Sequence, residues 1–249
     1  MSGHNKWSTI KRKKEANDAK RSKMFTKIIK DITIAVREGG PDPDSNPRLR
    51  LAIANARGVN MPKDNIQRAI NKATEKDSAN YVEIVYEGYA PHGVAIIVEC
   101  ATDNQQRTIS NIRSYFNKHG GSLSTSGSLN FIFNQKGVFR ISREKISNLD
   151  EFMLEVIDAG AEDVVDDDDM VIIYTPRENF GNMQKTLEKL NIEPDSSKLE
   201  RIPNTFVKLD KDQALKILKL IDLLEDDDDV QNVYHNMELP DEVLDEIEE

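Results

Sequence analysis

Apolar residues recur at helical spacing in the first third of the chain, and turn-forming residues divide them into three segments. The first segment carries an apolar stripe formed by Phe25, Ile28, Ile29, Ile32 and Val36. Gly39, Gly40 and Pro41 end this helix. A second helix is predicted over residues 48–57, and a third begins at Pro62, which suits a first helical turn. The pattern predicts a small three-helix lobe with a basic arm before it.

Beyond residue 77 the pattern changes to short strands and helices that follow one another. Alternating or continuous apolar runs predict strands at residues 81–86, 94–100, 129–133, 137–141, 170–174 and 205–209. Helical spacing predicts helices at residues 104–118, 149–159, 179–190 and 211–224. Hairpins mixed with helices in this order are typical of α+β domains of the split βαβ, ferredoxin-like kind.

Composition excludes several classes of protein. With 249 residues and 38% hydrophobic content, the chain can form two or three small domains. No apolar run approaches the roughly 20 residues of a membrane span, and residues 1–14 lack the apolar core of a secretory signal. Cys100 is the only cysteine of the sequence, so no internal disulfide can form. Its place at the end of an apolar run predicts that it is a small buried apolar residue. We expect a cytoplasmic protein with no membrane association.

Charge is distributed very unevenly along the chain. Residues 1–76 hold 18 of the 34 lysines and arginines but 8 of the 44 aspartates and glutamates, a local charge of +10. The remaining residues hold 16 basic and 36 acidic side chains, a charge of −20. Such asymmetry indicates a polyanionic partner at the basic end.

The basic side chains of this end are the candidate nucleic-acid-binding residues. They are Lys6, Lys11, Arg12, Lys13, Lys14, Lys20, Arg21, Lys23, Lys27, Arg48, Arg50, Arg57 and Lys63, with Trp7 beside them. Lysine and arginine neutralise phosphates and release counterions, so the affinity should fall as salt rises. Trp7 could stack on an unpaired base or could instead anchor the arm to the helical lobe. The alternative for the cations is a solvated helix face.

Motifs for catalysis, metals or cofactors are not evident. The Gly/Ser-rich residues 120–128 match neither a P-loop nor a nucleophile elbow, and a helix-to-strand connection fits them better than a phosphate cradle. The aspartate runs 166–169 and 226–229 lack the ligand spacing of an EF-hand and are interpreted as solvated turns. The four histidines lie far apart. We expect a non-enzymatic protein with no metal, cofactor or small-molecule substrate.

Several blocks of sequence resemble the YebC/PmpR family, which includes the mitochondrial translational activator of cytochrome oxidase subunit I. They are residues 3–11 (GHNKWSTIK), 37–43 (REGGPDP), 46–50 (NPRLR), 60–66 (NMPKDNI), 86–89 (YEGY), 102–104 (TDN) and 120–123 (GGSL). The resemblance implies three domains: residues 1–78, a discontinuous α+β domain of 79–135 plus 203–249, and an inserted α+β domain of 136–202. It also implies a regulator of gene expression.

Two functions remain open for a member of that family. An RNA-binding, ribosome-associated translation factor that aids elongation is the leading hypothesis, because no sequence-reading helix or dimerisation zipper is recognisable. The alternative is a DNA-binding transcription regulator that uses the same basic lobe. From another class, an acidic scaffold for basic proteins is a third hypothesis. No heptad pattern is present, so we expect a monomer.

Overall fold

The structure, a computed structural model, describes residues 18–167 and 169–243, with residues 18–20 described by their backbone alone. In chain order the helices are α1 (Asp18–Gly39), α2 (Pro47–Gly58), α3 (Lys63–Ala73), α4 (Gln105–Lys118), α5 (Leu149–Asp158), α6 (Phe180–Lys189) and α7 (Lys211–Asp226). The strands are β1 (Val82–Tyr89), β2 (Ala95–Thr102), β3 (Ser122–Leu123), β4 (Phe133–Ser142), β5 (Asp163–Asp167), β6 (Met170–Pro176), β7 (Ser196–Pro203), β8 (Val207–Lys208), β9 (Val230–His235) and β10 (Met237–Glu238).

Short polar side chains start several of these helices by binding their unpaired backbone amides. The caps are Asn46 of α2, Asn104 of α4, Asn148 of α5 and Asp210 of α7. Asn46 does more than cap, because it is buried and also donates to the carbonyls of Ala35 (2.7 Å) and Gly40 (2.8 Å). Its Oδ1 accepts from the Leu49 amide at 3.0 Å. One side chain thus joins the end of α1 to the start of α2.

The first sheet has the order β3-β1-β2-β9, and its paired strands are antiparallel. Strand β2 is buried on both sides. Ile96 and Val98 pack with α4 and α7 in one core, whereas Ala95 and Ile97 point to the opposite face. Leu129, Ile132 and Phe133 pack against that opposite face and cover it.

The second sheet has the order β5-β6-β4-β7, with β4 and β5 antiparallel to β6. Helices α5 and α6 cover one face, where Phe152 and Met183 meet Phe139 and Ile173 of the sheet. Strand β4 starts where residues 129–132 end, and β7 is followed in the chain by β8, α7 and β9. The second sheet is therefore inserted in the chain of the first.

The described residues form two compact units: the first unit comprises residues 18–30, 79–134 and 203–243, and the second unit comprises residues 31–78, 135–167 and 169–202. One boundary between the units falls within α1. The predicted fold class, α+β with a helical amino-terminal region and two helix-covered sheets, is confirmed. The three-domain boundaries stay a prediction. No helix among the described residues is long and apolar enough to cross a membrane.

Three local predictions are wrong. Residues 129–132 are a turn and not a strand: Leu129 and Ile132 pack onto the back of the first sheet, whereas Phe131 is exposed. Ile29 is 37% exposed, so the buried stripe of α1 is narrower than predicted. Strands β5, β7 and β9 were missed, and the strand predicted at 205–209 is the two-residue β8, which pairs with β10.

Candidate nucleic-acid interface

The predicted site residues fall into three groups by position. Lys6, Trp7, Lys11, Arg12, Lys13 and Lys14 lie outside the described residues. Lys20, Arg21, Lys23 and Lys27 lie on the first half of α1. Arg48, Arg50 and Arg57 lie on α2, and Lys63 begins α3.

Cations of α1 lie against the acidic carboxyl-terminal end of α7. Lys23 Nζ is 2.6 Å from Asp226 Oδ1, with both side chains substantially exposed. Lys27 Nζ donates to the Glu225 carbonyl at 3.2 Å. Arg21 is exposed and its guanidinium lies 5.7 Å from the centre of the Phe25 ring. Lys23 is therefore partly neutralised before any external anion arrives, whereas Lys27 is bonded to an uncharged carbonyl.

One turn further along α1, Lys30 is buried and its charge is compensated inside the protein. Its ammonium donates to the carbonyls of Asp228 (2.6 Å) and Ala101 (3.0 Å), and to Asp229 Oδ1 at 3.3 Å. The same group lies 5.0 Å from the centre of the Tyr81 ring. Lys30 belongs to the basic run by sequence, but here it is a structural residue.

Asp229 is the acceptor at the centre of this buried network. Its carboxylate accepts two hydrogen bonds from Arg107 Nη2, at 2.7 and 2.9 Å, and one from Thr108 Oγ1 at 2.9 Å. Burial raises the pKa of Asp229, but the hydrogen bonds from Arg107, Thr108 and Lys30 outweigh burial and hold the pKa below its usual value. The same contact with Asp229 raises the pKa of Arg107. Asp229 is thus an ionised, buried ion-pair partner.

The aspartate run 226–229 alternates between exposed and more buried side chains. Asp226 and Asp228 are exposed, whereas Asp227 accepts from Tyr115 Oη at 3.0 Å and from Asn111 Nδ2 at 3.1 Å. Burial and the bond to Asp227 raise the pKa of Tyr115 to about 12. The interpretation of this run as a solvated turn is therefore wrong for Asp227 and Asp229. The signal was available: the run leads directly into a buried strand, so alternate side chains should point inward.

The cations of α2 and α3 are more accessible. Arg48 pairs with Glu38 at 2.7 Å, and Arg57 lies 3.9 Å from Glu193, with both of these side chains about 60% exposed. Arg50 is exposed and donates to two loop carbonyls, those of Pro43 (2.6 Å) and Asp44 (3.1 Å). Arg50 and Arg57 are seven residues apart and share a side of α2. Lys63 is also exposed at the start of α3.

Two further cations lie on α3 beyond Lys63; Arg68 belongs to the same basic group by sequence, whereas Lys72 was not among the predicted residues. Arg68 and Lys72 are exposed on α3, four residues apart, and extend the cationic surface of that helix. Arg68 donates to the Asp64 carbonyl and to the Asn65 side chain, so its guanidinium is held along the helix. The helical spacing of these residues in the sequence was the signal for them.

The Gly/Ser-rich connection binds an internal carboxylate. Glu87 of β1 is buried, and its oxygens accept from the amides of Gly127 and Leu129, both at 2.7 Å. Ser128 Oγ adds a bond of 3.2 Å. The amides that suggested a phosphate cradle by composition are thus occupied by the chain's own anion, which favours the interpretation as a connection.

The thiol of Cys100 and the possible metal ligands of the described residues give no sign of a reactive site. Cys100 is buried, as predicted, and burial raises the pKa of its thiol to about 12, which leaves it protonated and weakly nucleophilic. Within the described ranges 18–167 and 169–243, no group of three or more histidine, cysteine, aspartate or glutamate side chains is placed to hold a metal ion.

Comparison with known proteins defines the class and then the family. A crystal structure of a conserved hypothetical protein from Aquifex aeolicus superposes with a TM-score of 0.81 at 42% identity, over 90% of this chain and 92% of that one. The chain therefore has the fold of that α+β protein. Family models match residues 5–76, as the TACO1/YebC protein N-terminal domain, and residues 81–237, as the TACO1/YebC second and third domain.

Curated relatives agree over nearly the full length. A protein of Amoebophilus asiaticus is 50% identical over 95% of this chain and 98% of its own, and one of Thermotoga maritima is 49% identical over 99% and 98%. Both carry the name probable transcriptional regulatory protein. The chain belongs to the TACO1/YebC family, as the sequence blocks predicted.

Proposed function

We propose that this protein is a non-enzymatic regulator of gene expression that binds nucleic acid through the cations of residues 1–76. The observation that carries the proposal is the separation of charge, +10 in these residues and −20 in the remainder. The names of the relatives support a role in gene regulation. The protein would act in the cytoplasm as a monomer.

Structured RNA is the target that we favour, with the ribosome as its source. On the exposed side of α3, Gln67 donates to Asn71 at 2.9 Å, and Arg68 is bonded within its own helix. Side chains engaged in this way are poorly prepared to read base edges in a major groove. Recognition of RNA by shape and phosphate position does not need free amide side chains. A translation factor that aids elongation fits this mode of binding.

Duplex DNA is the second candidate, and the observation that favours it is the name that these relatives carry, probable transcriptional regulatory protein. Phosphates of either nucleic acid would attract the same cations. The two candidates differ in selectivity, so a comparison of one RNA and one DNA of equal length under the same salt separates them.

The test is salt-dependent binding, measured by fluorescence anisotropy with a ribosomal RNA hairpin fragment and a DNA duplex of equal length. A variant with Lys11, Arg12, Lys13 and Lys14 replaced by glutamine should bind both more weakly. Its slope of log affinity against log salt should be shallower by about 3, at roughly 0.7–0.9 per lost phosphate contact. We expect tighter binding to the RNA than to the DNA.

A matched control removes the same number of positive charges elsewhere. It replaces Lys185, Lys189, Lys216 and Lys219, all exposed on α6 and α7, with glutamine. If the control loses as much affinity and slope as the first variant, binding is unspecific attraction by net charge and the proposal fails. Tighter binding to the duplex by the unmodified chain would favour the transcriptional role instead.

A further inference from the structure

Helix α5 exposes apolar side chains on the side that faces away from its core. Phe152 and Val156 are buried against the second sheet. Leu154 is 67% exposed and Ile157 is 51% exposed. These two lie three residues apart, so they are neighbours on the helix surface. Single exposed apolar residues are ordinary, whereas these two adjoin and form one continuous apolar area on the helix.

Carboxylates surround this apolar pair. The exposed acidic residues of α5 are Asp150, Glu151, Glu155 and Asp158, and its ten residues include no lysine or arginine. None of the four forms an ion pair with a lysine or arginine of the described residues. Asn148 Nδ2 donates a hydrogen bond to Glu151 Oε2 at 3.3 Å. The surface therefore combines apolar area with uncompensated negative charge.

We propose that this face of α5 is a docking site for a positively charged segment of another protein. Charge complementarity selects this occupant. Nucleic acid and anionic lipid would both be repelled by the carboxylates. A second copy of the chain that used the same face would place four carboxylates against four. Lysine and arginine on a protein segment can pair with the acidic rim while apolar side chains cover Leu154 and Ile157.

The spacing on α5 also defines what the segment should look like. A helix that presents apolar residues three or four positions apart, flanked by lysine or arginine, matches the pair and its rim. The carboxylates would accelerate encounter, and this contribution weakens as salt rises. The apolar pair would supply the part of the affinity that salt leaves unchanged. This surface is independent of the nucleic-acid-binding residues, so it can be tested separately.

The test begins with a photo-crosslinking amino acid at position 154 of the full-length chain in living cells, with position 189 on α6 as the control. Mass spectrometry then identifies the crosslinked peptide, and a synthetic peptide of that sequence is titrated against the purified chain. The proposal predicts a peptide with net positive charge and apolar residues. Leu154→Ser/Ile157→Ser should weaken its binding by about tenfold or more.

A second variant guards against effects on folding. Glu155→Gln/Asp158→Asn keeps both apolar residues, and it should weaken binding and flatten the salt dependence. The control Glu178→Gln/Glu188→Gln removes one carboxylate just before α6 and one on α6. It should leave the affinity for the peptide and its salt dependence unchanged. Crosslinks to nucleic acid, to a second copy of the chain or to neutral and acidic segments would overturn the proposal. So would a crosslinking yield at position 154 that equals the control.

Discussion

Replacement of Asp229 by asparagine tests the role of the buried network in the first unit. Asp229 and Lys30 are both less than one-tenth exposed, and Arg107 shares the same carboxylate. Asparagine keeps the size of the side chain but leaves the buried ammonium without its anion. Loss of one partner from a buried ion pair costs about 3–5 kcal/mol of unfolding free energy. Asp226→Asn removes an exposed pair from the same turn and should cost less than about 1 kcal/mol.

Urea unfolding followed by circular dichroism measures the difference. With a slope of about 2–3 kcal/mol per molar urea, Asp229→Asn should lower the midpoint of the unit's transition by about 1–2 M. The Asp226→Asn midpoint should move by less than about 0.5 M. Equal shifts for the two variants would show that burial of this pair contributes nothing, and the reasoning would then be refuted.

The same residue gives stability a dependence on pH. The pKa of Asp229 is lower in the folded protein than in the unfolded chain, so folding favours the ionised form. Its contribution is present above the unfolded pKa, about 3.9, and is lost as pH falls through the folded pKa. Unfolding free energy should therefore fall more steeply below about pH 4 in the unmodified protein than in Asp229→Asn. Parallel curves would contradict the assignment.

Three further predictions concern single contacts. Glu87→Gln places an amide group against backbone donors and should lower the unfolding free energy by about 1–3 kcal/mol. Amide hydrogen exchange at Gly127, which donates to Glu87, should become faster. Gly58→Ala would set a Cβ 1.9 Å from the Asp195 carbonyl oxygen, so it should destabilise the second unit by about 1–3 kcal/mol in urea unfolding. Asp226→Asn should raise affinity for nucleic acid by up to about fivefold in anisotropy titrations, because it frees a cation of α1. An unchanged value in any of these assays would refute the corresponding contact.

Much of the fold could be predicted because its signals are local. Helices α2 and α4 follow asparagine caps, and α1 ends at paired glycines, so their existence needed no knowledge of distant contacts. Strand β5 was missed because its sequence is mostly aspartate, and pairing with β6 decided its conformation. Residues 129–132 show the reverse case, where an apolar run covers a sheet face instead of joining the ladder.

The candidate site could be predicted in composition but not in geometry. The excess of cations in residues 1–76 is a property of the sequence alone. Which of them are neutralised depends on partners far along the chain: Asp226 lies 203 positions from Lys23, and Asp229 lies 199 from Lys30. Sequence spacing carries no information about such pairs. The structure therefore separates Lys30, a buried structural residue, from the exposed Arg50 and Lys63.

Crosslinking in living cells tests the central claim most directly, with RNA and DNA recovered separately from the same sample and sequenced. We predict dominant crosslinks to ribosomal RNA or tRNA, formed by the basic residues of the first 76 positions, and their loss when Lys11, Arg12, Lys13 and Lys14 are replaced by glutamine. Dominant crosslinks to a few DNA sites, with ribosomal RNA at background, would contradict the preferred translational role and favour transcriptional regulation. Background levels of both nucleic acids would contradict the proposed function itself.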